Sequence, residues 1–183
     1  MNAIVCTIHR LRRFFGDIRG VSAIEFAMLL PLMMTLFLGS VEATQGIATK
    51  RKVTLTAHAL ADLASQYTDI TNLDISNILS AGSAIIAPYP AINLQEVLSE
   101  ISINAHGQAA VVWSDTLNGT ALTVGQIINI PAALVVPNSY LLLAQVFYNY
   151  KPTYAYIVTG TLELGDQFYA MPRQSTSIAR TAS

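Results

Sequence analysis

Residues 21–41 read VSAIEFAMLLPLMMTLFLGSV, and Glu25 is the one ionisable side chain among them. About 20 apolar residues in an α-helix cross the hydrocarbon core of a bilayer, so this stretch is just long enough to span a membrane. A helix in the core of a soluble protein is seldom apolar on every face over such a length. The stretch therefore predicts a transmembrane helix over residues 21–41 rather than a buried core helix.

Charge is scarce outside this stretch as well, and it is unevenly placed. Charged residues make up 11% of the 183 residues, against about 25% in an average soluble domain. Residues 1–20 carry a net charge of +3 and residues 53–183 a net charge of −5. Because Lys and Arg are retained on the cytoplasmic side, we expect the basic leader inside and residues 42–183 outside, although residues 50–52 form a competing basic cluster. So little basic charge also argues against nucleic acid as a partner.

A glycine and a glutamate mark the start of the apolar stretch. Gly20 ends the basic leader, and Glu25 follows five residues later inside the apolar run. A carboxylate within a membrane costs about 2.5–3.5 kcal/mol and needs a partner. Cleavage between Gly20 and Val21 would supply one, since the new amino group at Val21 lies one helical turn from Glu25. In an assembly the partner is instead a neighbouring subunit's amino terminus, and in an uncleaved anchor Glu25 snorkels to the cytoplasmic surface.

The segment GVSAIEFAMLLP, residues 20–31, resembles the start of the TadE-like pseudopilins. These are minor pilins of the tight-adherence (Tad) pilus, which is related to type IV pili. The matching positions are Gly20, the Glu25-Phe26-Ala27 triplet and Pro31, and weaker pattern matches follow at Trp113, residues 146–152 and residues 171–173. The resemblance identifies Gly20 and Val21 as the processing site, Glu25 as the assembly carboxylate, and Phe26 and Pro31 as motif residues.

The same resemblance implies a function and a location. It implies cleavage by a prepilin peptidase and a role in pilus biogenesis and adherence rather than catalysis. It places the chain in the bacterial inner membrane as a single-pass protein with a cytoplasmic N-terminus and a periplasmic C-terminal domain, associated with the pilus at the cell surface. The implied partners are the inner membrane, the prepilin peptidase, other pilins or pseudopilins, and the platform proteins of Tad pilus assembly.

Two alternative hypotheses predict a different mature protein. The chain can be an uncleaved single-pass membrane protein whose external domain is an adhesin or binding module. It can also be cut after Ala43, since Val41-Glu42-Ala43 loosely matches a signal-peptide site. Against this second alternative, the apolar region is longer than usual and contains Pro31.

Beyond the membrane, the apolar pattern predicts that the helix continues over residues 42–70. One face carries apolar residues at helical spacing, and polar residues lie away from it. The apolar face is Val53, Ala57, Leu60, Ala64 and Tyr67, and the polar residues are Thr49, Lys52, Thr56 and Asp62. A helix half in lipid and half packed on an external domain has a pilin-like lollipop outline.

Residues 71–183 predict an external α+β domain with an antiparallel sheet of three to five strands. A short helix is expected over residues 74–79, capped by Asn72 or Asp74, with Pro88 and Pro90 beyond it. The strand pattern starts at residue 97, turns at residues 105–107 and returns over 109–113. An internal strand is expected over residues 140–150, after an irregular stretch at 124–137, and a last strand over 167–171.

No catalytic constellation is found in the sequence, so we expect no enzyme, no cofactor and no metal site. His9, His58 and His106 lack the spacing of zinc ligands. Glu96 and Glu100 are expected on a solvated face. The chain has one cysteine, Cys6, and therefore no internal disulfide is expected in the exported part. Six tyrosines crowd residues 140–169 and are expected in the sheet core: Tyr140, Tyr148, Tyr150, Tyr154, Tyr156 and Tyr169.

Overall fold

The computed structural model describes residues 19–152 and 160–181. The basic leader with His9, and Tyr154 and Tyr156 of the tyrosine-rich region, lie outside these described residues. The contacts divide the chain into two units, Met1–Ala43 and Thr44–Ser183. The boundary between the units falls within the first helix.

Helix α1, Arg19–Ala64, is 46 residues long and carries the whole of the predicted apolar stretch. It ends at Ala64, before the predicted end at residue 70. After Ala64 the chain makes a tight turn, in which the Tyr67 N–H donates to Ala64 O at 3.2 Å, and the Arg173 N–H donates to Ser65 O at 2.9 Å. The helix thus ends where the carbonyl of Ser65 accepts from a distant part of the chain.

The outer half of α1 packs against the sheet domain along the predicted face. Val53, Ala57, Leu60 and Ala64 are all fully buried, and Tyr67, beyond the helix, packs against the same cluster at partial burial. The polar assignment of Thr49 and Thr56 was wrong, because both are fully buried. Each threonine hydroxyl donates to the carbonyl four residues earlier, at 2.9 Å, so its polar group is satisfied within the helix and its methyl group faces the core.

Helix α2, Asn72–Ile86, is longer than the predicted 74–79. Its N-cap is Thr71 rather than Asn72. The Asp74 N–H donates to Thr71 Oγ1 at 3.3 Å and the Thr71 N–H donates to Asp74 Oδ2 at 2.9 Å, a reciprocal capping box. The helix ends just before Pro88, as expected. Its last carbonyls accept hydrogen bonds from Lys52 Nζ, which reaches Ile85 O at 3.0 Å and also Ala87 O.

Within residues 19–152 and 160–181, five antiparallel strands form the main sheet, in the order β4-β3-β2-β5-β6. Two further strands, β1 and β7, pair in parallel as a separate ribbon. The predicted α+β class, with a long N-terminal apolar helix followed by an antiparallel sheet, is confirmed. The strands are β1 Asp69–Ile70, β2 Leu94–Ile103, β3 Ala109–Leu117, β4 Ile127–Ile128, β5 Ser139–Tyr150, β6 Leu162–Ala170 and β7 Ala179–Arg180.

Some of the strand predictions are confirmed and one is wrong. The hairpin between β2 and β3 is confirmed, with Gly107 at φ 79° in its turn, a left-handed conformation that glycine adopts readily. The irregular stretch 124–137 and the internal strand 140–150 are also confirmed. The last-strand prediction was wrong, because β6 already begins at Leu162 and β7 follows it. β7 has only two residues and shows no periodicity.

Alternating side chains of β5 build two apolar clusters. Leu142, Ala144 and Val146 join the cluster that includes the buried residues of α1 and α2. Leu141 and Leu143 join a second cluster with Ile101, Ile103 and Ala109, against which residues of the irregular 119–138 region pack. Because successive side chains of a strand point to opposite faces, the two clusters lie on opposite faces of the sheet.

Side chains of the sheet domain bind the C-terminal segment at Ile178 and at Arg180. Trp113 Nε1 donates to Ile178 O at 3.0 Å, and the Ile178 N–H donates to Glu100 Oε1 at 2.6 Å. Two residues later, Arg180 forms a two-pronged ion pair with Asp115, at 2.8 Å and 3.1 Å. Ile178 is 1% exposed, so the segment is part of the core.

Replacing Arg180 by Gln should cost about 2 kcal/mol of unfolding free energy, because a bidentate, partly buried charge-assisted pair is lost. Arg173→Gln is the matched control, since Arg173 pairs with Asp62 at the surface, where its side chain is 63% exposed. That control should cost less than about 1 kcal/mol. Urea unfolding in detergent micelles, followed by the fluorescence of Trp113, the only tryptophan, measures both values. Equal losses in the two variants would contradict the proposed fastening of the C-terminal segment.

Candidate functional site

The predicted motif lies at the beginning of α1, where every residue from 20 to 37 is exposed. Gly20 and Val21 fall in the first turn of the helix, and a side chain added at Gly20 would meet no atom within 4 Å. The first turn of any helix lacks partners for its N–H groups and therefore opens easily. Among the described residues, both sides of the Gly20–Val21 bond are exposed.

Glu25 lies four residues after Val21 on the same continuous helix, and both side chains are exposed. Residues four apart occupy one face of a helix, with a rise of about 6 Å between them. The helix therefore places the Glu25 carboxylate close to the position that a new amino group at Val21 would occupy. Phe26, 60% exposed, follows directly in the sequence and adds to the apolar surface.

Pro31 lies inside α1, and the helix continues through it. Proline has no N–H, so one carbonyl of the preceding turn, at Ala27, loses its usual donor. On the following turn, the hydroxyl of Thr35 donates to Pro31 O at 3.1 Å and to Leu32 O at 2.8 Å. Ser40 likewise donates to Phe37 O at 2.7 Å. The hydroxyl groups of Thr35 and Ser40 are thus satisfied by the helix itself, which suits an environment without water.

The exposed surface of this part of α1 is almost entirely apolar. Among the described residues, one helix is long and apolar enough to cross a membrane, and its most apolar window lies unburied near the N-terminus. An apolar surface of this extent marks a membrane or protein contact. The large exposed side chains are Val21, Ile24, Phe26, Met28, Leu29, Leu30, Leu32, Met33, Met34, Leu36 and Phe37.

The sheet domain has a separate surface feature, a groove of about 730 Å³ between α1 and the β6 edge. His58 forms part of this groove and stacks on Phe168, with ring centroids 3.7 Å apart. Leu55 and Met171, both more than half exposed, also line it. The groove is mainly apolar, and its lining residues include His58, Asp62 and Arg173.

The described tyrosines and histidines differ in their burial. Tyr148 and Tyr150 are 2% and 7% exposed and belong to the core, as predicted, while Tyr140 and Tyr169 are half-buried. His106 lies exposed in the β2–β3 turn, where its N–H donates to Asn104 Oδ1 at 2.9 Å. In the described part of the chain, no group of three His, Cys, Asp or Glu side chains is placed to hold a metal ion.

Two buried carboxyl groups were missed from the sequence. Glu96 and Glu100 were expected in solvent, but they lie on β2 and are 0% and 1% exposed. They alternate with the buried Leu94 and Leu98, so the strand period places all four on the helix-facing side. Burial raises the pKa of Glu96 to about 8. Burial also raises the pKa of Glu100, although the hydrogen bonds from Ile178 and Trp113 oppose that shift.

The sequence pattern around Glu96 and Glu100 allows two interpretations. Leu94, Glu96, Leu98 and Glu100 recur at every second position, which is the spacing of one face of a strand. This spacing indicates a buried face only if the two glutamates are counted as core residues. Acidic residues are almost never fully buried without a partner, so the sequence favours a solvent-exposed position for both glutamates. Glu100 has its partner in Ile178, which is 78 residues away in the chain.

Comparison with known proteins identifies one similar family. Residues 20–62 match the family model of the TadE-like proteins. This segment contains all five predicted motif positions and most of α1. No curated protein and no solved structure matches the chain significantly. The resemblance predicted from residues 20–31 is therefore confirmed: over residues 20–62 the chain is similar to the TadE-like family.

Proposed function

We propose that the chain is a minor-pilin-like assembly protein of a Tad pilus, anchored in the bacterial inner membrane by α1. The observation that carries this proposal is the TadE-like segment 20–62, whose first part exposes an apolar surface interrupted by the carboxylate of Glu25. Such a surface needs lipid before assembly and a neighbouring subunit afterwards. The protein then acts in pilus biogenesis and adherence through recognition and packing, with no catalytic step of its own.

Processing by a prepilin peptidase between Gly20 and Val21 completes the proposed site. Cleavage removes the leader with its arginines and leaves a positive amino group one turn before Glu25. In a medium of low polarity the attraction between the two charges is poorly screened, so the pair is stabilised. The same carboxylate can bind the amino terminus of an adjacent pilin or pseudopilin, which fixes the axial position of one helix against the next.

The structure of the sheet domain supports an N-terminus-inside orientation. The competing basic cluster at residues 50–52 is largely occupied by contacts within the domain. Lys50 pairs with Asp166 at 3.2 Å, and Lys52 bonds the C-terminal carbonyls of α2. Arg51 is the exposed member of the cluster. The four arginines of residues 1–20 therefore remain the stronger topological signal, and the sheet domain belongs in the periplasm.

The partners follow from these steps: the inner membrane, the prepilin peptidase, other pilins or pseudopilins, and the Tad platform proteins. Each would engage a different part of the chain. The peptidase engages the first turn of α1, and subunits and lipid engage its apolar surface.

Intact-mass measurement of the membrane-extracted protein tests the cleavage. We expect the mass of residues 21–183 in cells with the peptidase and of the full chain in cells without it. Gly20→Ala should also leave the full chain, and an added methyl group there touches no atom within 4 Å, so the fold is not disturbed. Gly46→Ala, in the same helix, is the matched control and should be processed normally. A full-length chain in wild-type cells, or a chain starting at Thr44, would contradict the proposal.

Glu25→Ala should leave processing intact but reduce surface pili. If the carboxylate contributes about 1.4 kcal/mol or more to subunit placement, pilus number should fall at least about tenfold. Counting filaments by electron microscopy, together with the intact mass, separates assembly from cleavage. Glu163→Ala, at an exposed position of β6, is the control and should assemble normally. Normal pili in the Glu25 variant would exclude the assembly role of this carboxylate.

A second candidate is an uncleaved single-pass protein whose external domain is an adhesin or binding module. The apolar groove beside β6, with Leu55 and Met171 exposed on its walls, favours this alternative. The same mass measurement distinguishes the two functions, since an adhesin anchored by α1 retains residues 1–20.

A further inference from the structure

Glu96 lies in the core of the sheet domain without a hydrogen-bond partner. Its side chain is 0% exposed, and no described residue bonds either of its carboxyl oxygens. Its cross-strand neighbours are Leu117 on β3 and Val146 on β5. A buried polar group of this kind costs free energy and calls for a physical explanation.

The carboxyl group presses against the backbone of α2 at Gly82. A methyl group added at Gly82 would overlap Glu96 Oε1, and it would lie 3.0 Å from Thr56 Cγ2 on α1. A glycine inside a helix costs about 1 kcal/mol relative to alanine. In spite of this cost, glycine occupies position 82, where the absence of a side chain leaves room for the Glu96 carboxyl group. Glu96 thus occupies the junction at which α1, α2 and β2 meet.

The charged groups on the surrounding elements are engaged elsewhere or exposed, so none of them neutralises an ionised Glu96. On α1, Arg51 is exposed and His58 stacks on Phe168. On β2, Glu100 accepts from Ile178, and the titratable side chains of β5 are those of Tyr140, Tyr148 and Tyr150, none of which is cationic. Other ionisable groups of α1, α2 and β3 are held in pairs, among them Lys50–Asp166, Lys52–Ile85 O, Asp62–Arg173, Asp74–Thr71 and Asp115–Arg180.

We propose that Glu96 is a proton-dependent lock on α2. The neutral carboxylic acid allows α2 to remain packed on the sheet, and the ionised form drives the helix away from β2 so that the charge reaches water.

The direction of the effect follows from the environment of the carboxyl group. Burial raises the pKa of Glu96 from 4.5 to about 8 in the folded domain. Because the folded-state pKa lies above the value in water, the stabilisation by the neutral form is complete below pH 4.5 and is lost as the pH rises through about 8. At low pH α2 therefore stays packed on the sheet, and at high pH it moves away from β2. In the proposed periplasmic location, the domain would sense the pH of the surrounding medium.

Hydrogen exchange of the full chain in detergent micelles tests the lock. The readout is the protection factor of α2 amides, which is already corrected for the intrinsic pH dependence of exchange. Between about pH 5.5 and 7.5 we expect protection in α2 to fall by about 100-fold, since each pH unit below the folded pKa changes the opening equilibrium tenfold. At every pH, α2 should be less protected than β5, because it opens locally.

Glu96→Gln removes the titration and should make the protection of α2 independent of pH. Glu163→Gln, which changes an exposed glutamate, should retain the wild-type dependence. The same pH dependence in the Glu96 variant, or equal protection of α2 and β5 throughout, would overturn the proposal. If the Glu96 variant does not fold, the carbon-13 shift of the Glu96 carboxyl in the wild-type chain decides. A midpoint above pH 7 supports the lock, and one near 4.5 excludes it.

Discussion

The rotation of α1 about its axis is the constraint on which the rest of the sheet domain depends. The fully buried residues Val53, Ala57 and Leu60 fix one face of the helix against the sheet. Lys50 and Lys52 are two residues apart, about 200° around the axis, and they reach opposite neighbours, β6 and the end of α2. Turning α1 by one residue would remove Val53, Ala57 and Leu60 from the core and release both lysine contacts, so one rotation is strongly favoured.

The C-terminal segment around Ile178 completes the packing of the sheet domain. Ile178 is held through both of its main-chain polar groups by Glu100 and Trp113, which are cross-strand neighbours on β2 and β3. An acceptor carboxyl inside the core is costly, but here it satisfies an N–H that would otherwise be buried without a partner. The C-terminal segment then pairs with β1, directly after α1. Residues far apart in sequence thus close the same end of the domain.

The sequence contained enough information for the elements with a sustained period. The buried face of α1, the β2–β3 hairpin and β5 were predicted because their apolar residues recur at helix or strand spacing. Residues 20–31 were recognised because their motif is contiguous. The polar core residues were not predictable in this way. Thr56, Glu96 and Glu100 are buried by partners such as Gly82 and Ile178, which only the tertiary fold brings near them. β7, a two-residue strand, carries no pattern at all.

One helix, α1, combines two kinds of surface, and its hydrogen bonds explain how it can. A helix satisfies its main chain internally, so it passes from an apolar environment to a packed domain without any change of backbone. Thr35 and Ser40 bond to helix carbonyls and therefore make no demand on the surroundings. The apolar residues 20–37 are then equally compatible with lipid and with another apolar helix. Glu25 is the group that distinguishes the two environments, since lipid offers no partner for a carboxylate, whereas in the proposed assembly a neighbouring amino terminus does.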